Sequence, residues 1–297
     1  MTGSDDEREF RFTRADFERV RQLLYEYAGI SLSDSKKDMV YARLSRRLRQ
    51  RGLDSFRAYL DLVERRGEEW QAFVNALTTN LTSFFRESHH FPILAELART
   101  CPRRPIRVWC SAASTGEEPY TIAMTLVDTF GSLQPPVEII ATDIDTQVLE
   151  KARAGIYSEQ VVDKLPAQLV RRFFRRGTGS RAGLVRVRRE LCRLVQFRQL
   201  NLLAPEWPAE GPFEAIFCRN VMIYFDKETQ YKILRRFVPL LDPDGLLFAG
   251  HSESLHHAAD LFRLRGRSVY GLTEAMRLSR MRTAGGQFGA IAGKAKP

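Results

Sequence analysis

Between Ile106 and Tyr120 the chain passes from an apolar run (Ile106, Val108, Trp109) through small residues (Ser111, Ala112, Ala113) and Gly116 into a helical pattern. That order reads as a buried strand, a tight turn and a helix start. The alternation then repeats. Strands are expected at 106–111, Val137–Asp143, about 193–200, Phe213–Cys218, Leu246–Ala249 and Ser268–Leu272, with helices near 117–130, 146–154 and Asp226–Leu241. Strands separated by helices form a mostly parallel, doubly wound sheet. Ligands of such sheets bind outside the carboxyl ends of the strands, and small residues there let the backbone approach a cofactor.

Ahead of this pattern, residues 10–77 read as helices. Thr13-Arg-Ala-Asp16 is a capping signal, followed by Phe17, Val20, Leu23, Leu24 and Tyr27 at helical spacing. A second helix carries Val40, Leu44 and Leu48 on one face. Arg43, Arg46, Arg47, Arg49 and Arg51 lie on its other positions, with Lys36 and Lys37 upstream and no acid within the run. Such a face reads as an electrostatic docking surface. Residues 78–92 are polar but punctuated by Leu81, Phe84, Phe85 and Phe91, so they form a pinned connector rather than a flexible linker. His89 and His90 are expected to be structural. The sheet domain is expected over 93–275. Within it, 156–192 hold a helical piece, a turn with Gly177, Gly179 and Gly183, and the alternating Leu184-Val-Arg186-Val-Arg188, which reads as a small, strongly basic antiparallel insertion. The Gly/Ala/Arg-rich residues 276–297 read as a disordered tail.

The net charge of +10 calls for an acidic partner without saying which kind. Cys101, Cys110, Cys192 and Cys218 show neither a CxxC pair nor a zinc spacing, so reduced cysteines, no metal and a cytoplasmic setting are expected. The acidic first residues lack a signal-peptide core, and no apolar run approaches the ~20 residues of a membrane span.

Polar residues punctuate the ends of successive strands: Gly116-Glu117-Glu118, Asp143, Asn201 and Arg219-Asn220. An Asp ending the second strand suits ribose hydroxyls, and Asn suits a base edge. Together they outline a nucleoside-containing cofactor. A pyrophosphate such as that of NAD needs three glycines at this turn, whereas here two acids follow a single glycine. S-adenosylmethionine, a sulfonium without phosphate, fits better. The bland alternative for Glu117 and Glu118 is complementing the helix dipole.

Several long motifs then carry a resemblance. Asn80-Leu-Thr-Ser-Phe-Phe-Arg-Glu, Ser111-Ala-Ala-Ser-Thr-Gly-Glu-Glu-Pro-Tyr, Ala141-Thr-Asp-Ile-Asp, Phe217-Cys-Arg-Asn-Val-Met-Ile-Tyr-Phe-Asp and Phe248-Ala-Gly-His-Ser-Glu resemble the chemotaxis receptor glutamate O-methyltransferases, the CheR family, from about residue 10 to 275. The resemblance implies a class I S-adenosylmethionine-dependent methyltransferase (a Rossmann-like doubly wound α/β sheet) with an N-terminal all-helical domain and an inserted antiparallel β-subdomain. It implies cofactor contacts from Asn80, Thr82, Arg86, Glu118 in preference to Glu117, Asp143, Asn201 with Leu202, and Arg219 with Asn220. Arg86 and Tyr224 are placed at the reacting centre, with S-adenosyl-L-homocysteine as by-product. The implied partners are methyl-accepting chemoreceptors in their arrays. The arginine helix would track the carboxylates of their cytoplasmic helices, and Arg186 and Arg188 would hold a C-terminal tail peptide. Neither nucleic acid nor direct membrane insertion is expected. A basic RNA-binding methyltransferase and an idle cofactor-binding scaffold are the alternatives.

Overall fold

A computed structural model describes residues 8–207 and 211–291. The chain opens on α1 (Arg14–Ala28), α2 (Lys37–Arg51), α3 (Phe56–Glu64) and α4 (Glu68–Leu77). A reciprocal capping box between Thr13 and Asp16 starts α1, and Gly29 stops it in the left-handed region at φ 67°. Their apolar faces share one core in which Val20, Leu24, Val40, Leu44, Leu48, Phe56, Leu60 and Phe73 are fully buried. Each such side chain contributes about 1.5–3 kcal/mol of burial.

The next helix, α5 (His90–Thr100), begins inside the stretch read as connector. Its lead-in is polar, and Pro92 falls in the first turn, where a missing N–H costs nothing. His90 is buried, with Nε2 3.1 Å from Ser268 Oγ, and burial lowers its pKa to about 4.

The chain then forms β1 (Ile106–Cys110), α6 (Glu117–Phe130), β2 (Val137–Asp143) and α7 (Thr146–Ala154). The insertion holds β3 (Ile156–Ser158), α8 (Glu159–Val162), α9 (Ala167–Phe173), β4 (Phe174–Arg176), β5 (Leu184–Val187) and α10 (Arg189–Cys192). The main sheet resumes with β6 (Val195–Gln199), β7 (Phe213–Cys218), α11 (Lys227–Phe237), β8 (Leu241–Ala249), β9 (Phe262–Gly266), β10 (Val269–Leu272) and a closing α12 (Glu274–Ile291).

The seven-stranded sheet has the order β6-β2-β1-β7-β8-β10-β9. It is parallel from β6 to β8 and antiparallel at β10 and β9. Both faces are covered. Val108, Cys110, Ala215 and Phe217 enter one core, while Trp109, Ile216 and Cys218 enter the other. This is why these strands read as largely apolar runs, interrupted only by Arg107 and Glu214 near their starts. From β1 the chain steps outward to β2 and β6, then returns to β7 on the other side. The tips of β1 and β7 therefore flank the switch point at which such sheets take ligands.

Three expectations need correction. β8 starts at Leu241 rather than at the expected Leu246, taking in residues 242–245, where pairing slips from Phe213↔Leu241 to Ala215↔Leu246. β9 is a largely exposed edge strand without the apolar signal that would reveal it. Residues expected to be disordered from 276 continue α12 to Ile291, and 292–297 lie outside the described residues.

The insertion is a three-stranded antiparallel sheet of order β3-β5-β4. Phe84 of the connector packs edge-on against Tyr157 of β3 and Phe174 of β4, with ring centroids 5.2 Å apart in both cases. The Tyr157 hydroxyl donates to the Thr115 carbonyl at 2.8 Å.

Candidate active site

A cleft of about 650 Å³ lies along the strand tips. Asn80, Thr82, Arg86, Glu118, Asp143, Asn201, Leu202, Arg219, Asn220 and Tyr224 all line it. The junction of α1 and α2 supplies the facing wall through Ala28, Ile30, Ser31 and Met39. Glu117 is not in the lining; it is buried and accepts a hydrogen bond from Thr115 Oγ1 at 2.6 Å.

The floor is built on Arg219, whose side chain is 1 % exposed. Its Nη1 donates to Glu118 Oε2 at 2.5 Å, its Nη2 donates to the Arg86 carbonyl at 2.5 Å, and Glu87 lies 3.4 Å away. One cation thus faces two carboxylates. Burial raises the Glu118 carboxyl, against the opposing pull of Arg219. Burial also acts on Glu87, yet the His251 N–H and Arg219 hold it below its ordinary range. Two buried atoms, Glu87 Oε2 and Arg219 Nε, have no hydrogen-bond partner. A floor with an extra negative charge repels a pyrophosphate and receives a cation.

At the tip of β2, Asp143 accepts from the Ser114 N–H at 2.8 Å and from the Asp145 N–H at 3.0 Å. Burial pushes its carboxyl up to about 6. Asp145 caps α7 through Oδ1, while its Oδ2 accepts from Thr78 Oγ1 at 2.7 Å and from Asn80 Nδ2 at 2.8 Å. Asn201 Nδ2 donates to the Tyr27 carbonyl at 2.6 Å, and its Oδ1 accepts from the Leu203 N–H at 2.9 Å. The two asparagines therefore fasten the connector and the helical region to the sheet. Asn201 keeps an amide N–H and a carbonyl lone pair for a ligand, whereas Asn80, whose Nδ2 also donates to Thr78 Oγ1 at 3.3 Å, offers its carbonyl oxygen. Asp145, Glu87 and Glu253 are structural members of the site that single-residue reasoning missed, although each lies inside a quoted motif.

Phe85, Glu87, Ser114 and Asn220 all have φ between 48° and 56°. Left-handed non-glycine residues gather where the surroundings over-determine the backbone. Gly116 also has positive φ, 101°, but the close approach it permits is of protein rather than cofactor: a Cβ there would stand 2.8 Å from Tyr157 Oη and 2.9 Å from Ala152 Cβ.

Arg86 Nη1 donates to the Leu81 carbonyl at 2.9 Å, leaving its other N–H groups available. Among the described residues the Tyr224 hydroxyl makes no hydrogen bond. The backbone of Tyr224 is held, its carbonyl accepting from the Ser31 N–H at 2.8 Å.

The arginines of α2 are largely committed within the chain. Arg47 and Arg51 both reach Glu69, a carboxylate 2 % exposed, at 2.8 and 2.5 Å. Arg49 pairs with Glu9 at 2.6 Å, and Arg43 donates to the Thr78 carbonyl at 2.7 Å. Arg46 is exposed and has neither hydrogen bond nor ion pair among the described residues. The run carries no acid of its own, but acids arrive from elsewhere. In the insertion, Arg186 is exposed on β5, the central strand. Arg188 lies just past the strand, half-buried, and donates to the Arg171 carbonyl at 3.3 Å. The two do not form one open face.

The family model for the CheR methyltransferase all-alpha domain matches residues 15–78, and that for the CheR methyltransferase SAM binding domain matches 80–270. The chain belongs to the CheR methyltransferase family. Among relatives, the chemotaxis protein methyltransferase of Escherichia coli K12 is 60% identical over 88% of this chain and 91% of its own length. Chemotaxis protein methyltransferase 2 of Pseudomonas aeruginosa is 58% identical over 88% and 94%. The chemotaxis protein methyltransferase of Borreliella burgdorferi is 36% identical over 82% and 89%. As a CheR-family chain it carries an S-adenosylmethionine-binding methyltransferase domain, and its cleft lies within that matched domain and the helices before it. The residues fit such a cofactor: a carboxylate at the β2 tip for hydroxyls, a net-negative floor for a cation, and no glycine cradle for phosphate. No described helix is long and apolar enough to cross a membrane.

Proposed function

We propose that this chain is a protein-glutamate O-methyltransferase that esterifies glutamate side chains on the cytoplasmic helices of methyl-accepting chemotaxis receptors, for chemosensory adaptation. The observation that carries the reading is 60% identity, over most of both chains, to a chemotaxis protein methyltransferase. All ten of the expected cofactor and reaction-centre residues line one cleft.

Bound S-adenosylmethionine supplies an electrophilic methyl carbon and leaves as S-adenosyl-L-homocysteine. Asp143 takes the ribose hydroxyls. Glu118, which lines the cleft, receives the cationic end, with Glu87 behind it on the same Arg219. Asn80, Thr82, Asn201, Leu202 and Asn220 complete the walls. A glutamate acceptor titrates near ~4.3 and is already ionised at neutral pH, so no general base is needed. The work of the chain is to align and partly desolvate the two charges. Arg86 steers a carboxylate with its free N–H groups, and Tyr224 offers an unengaged hydroxyl to the acceptor.

Arg46 and the outer charge of Arg49 and Arg51 are the part of α2 left to meet receptor carboxylates. Tail-peptide capture would add a strand at the edge of β3 or β4, with Arg186 one strand inward. Radiolabelled methyl transfer to receptor fragments tests the function: label on glutamate esters is expected, and label on RNA, or none, overturns it. Calorimetry with a receptor-tail peptide tests the tether, and no heat at high micromolar peptide ends that part.

A further inference from the structure

The motif Phe248-Ala-Gly-His-Ser-Glu253, which begins in the last two residues of β8, the strand beside β7, has no part in the chemistry assigned so far. Its last residue, Glu253, is 6 % exposed. Its Oε2 accepts from the Asn220 N–H at 2.8 Å and from the Gly250 N–H at 2.5 Å, and its Oε1 accepts from the Ile223 N–H at 3.3 Å. Two of these donors belong to the β7-tip loop, which carries Asn220 at its start and Tyr224 at its end.

The acceptors of the same loop are held from the other side. Gln230 of α11 is 7 % exposed, and its Nε2 donates to the Met222 carbonyl at 2.8 Å and the Phe225 carbonyl at 3.0 Å. A buried carboxylate thus takes the loop's N–H groups and a buried amide takes its carbonyls. The loop needs such a frame, because Asn220 sits in the left-handed region at φ 56°. Gly250 is part of the fit: a Cβ there would stand 2.7 Å from Glu253 Oε2 and 2.8 Å from the Asn220 nitrogen.

We propose that Glu253, with Gln230 opposite it, is a positioning residue for methyl transfer, a clamp that fixes the 219–225 loop so that Asn220 faces the cofactor and Tyr224 the acceptor. A neutral amide in place of Glu253 presents an N–H₂ where the loop offers donors, so at least one hydrogen bond becomes a donor–donor contact. The chemistry named here rests on the methyltransferase reading; the clamp itself does not.

The test uses the full chain with Glu253→Gln and, as a second perturbation of the same contacts, Gly250→Ala. Amide hydrogen exchange read by mass spectrometry should rise at least tenfold in peptides covering 219–225, while α2, α6 and β2 keep wild-type protection. Methyl transfer to a receptor fragment should fall at least tenfold in kcat. Tyr224→Phe combined with Glu253→Gln should be no slower than the slower single variant, because Glu253→Gln already displaces the hydroxyl that Tyr224→Phe removes. Unchanged exchange in 219–225 in both variants, or multiplying effects of Tyr224→Phe and Glu253→Gln, overturns the proposal. Were the wild-type protein to transfer no methyl group, the function reading would fall and the exchange result alone would still decide the clamp.

Discussion

Asp143 is a carboxylate kept in an unfavourable place, and replacing it should make the ligand-free protein more stable. It is 8 % exposed, and its carboxyl is raised from an ordinary 3.8 to about 6 by burial, against hydrogen bonds from the Asp145 and Ser114 N–H groups. For an acid whose folded pKa is raised, the folded state is favoured fully below the unfolded value, and that advantage is lost as pH rises through the folded one. The gap from 3.8 to about 6 corresponds to roughly 3 kcal/mol of destabilisation above pH 7. Asp143→Asn removes this cost and gives up one of the two N–H bonds at about 1–2 kcal/mol. The net expectation is a gain of about 1–2 kcal/mol at pH 8, seen as a rise of roughly 2–6 °C in melting temperature. The gain should shrink and reverse below about pH 4, where the wild-type group is protonated in both states. The same variant should bind S-adenosyl-L-homocysteine at least tenfold more weakly by calorimetry. Wild-type affinity should itself weaken by up to about tenfold per pH unit below pH 6. A variant less stable than wild type at every pH, or an affinity flat between pH 5 and 8, would refute the reasoning.

Three further outcomes are expected. Arg86→Ala should lower methyl transfer on the order of 100-fold, with wild-type melting behaviour, because the side chain makes a single exposed bond to the Leu81 carbonyl; turnover and cofactor affinity near wild type would remove it from the reacting centre. Gly116→Ala should cost about 2–3 kcal/mol in denaturant unfolding, since it meets both a left-handed φ and the Tyr157 hydroxyl; a loss within about 0.5 kcal/mol would contradict this. Glu69→Ala strands Arg47 and the Tyr59 hydroxyl and should cost about 3–5 kcal/mol. The Glu69 carboxyl is held low by Arg47, Arg51 and Tyr59 despite its burial, so its stabilisation is present above the ordinary carboxylate range and is lost as pH falls. A wild-type-minus-variant difference that does not shrink toward pH 3 would be inconsistent with that pairing.

The strand–turn–helix reading of 106–131 could be made from sequence because buried parallel strands are apolar on both faces and Gly116 marks the turn. The polar residues at the strand tips were legible as types in place, but their allegiances were not. Asn201 reads as a ligand-facing amide, yet it is bonded to the Tyr27 carbonyl 174 residues away. Asn80 is tied to Asp145, 65 residues on. The arginines of α2 look free because Glu9 and Glu69 are supplied from outside the helix, 40 and about 20 residues away. Pairings at such separations follow from topology, which local spacing does not encode. Glu253 escaped for a related reason: a carboxylate that serves backbone N–H groups leaves no partner side chain to find.

Tyr157 joins two parts of the molecule that sequence would treat as separable. It belongs to the first strand of the inserted sheet, yet its hydroxyl sits against Gly116 and holds the Thr115 carbonyl. Removing 156–192 as a block therefore strips a lid from the turn that opens α6, and such a truncated enzyme should lose its grip on the adenosyl donor as well as any tether. Grafting a new specificity onto this scaffold has a narrower entry point, the 177–183 hairpin loop, whose Gly179 and Gly183 have open space around them.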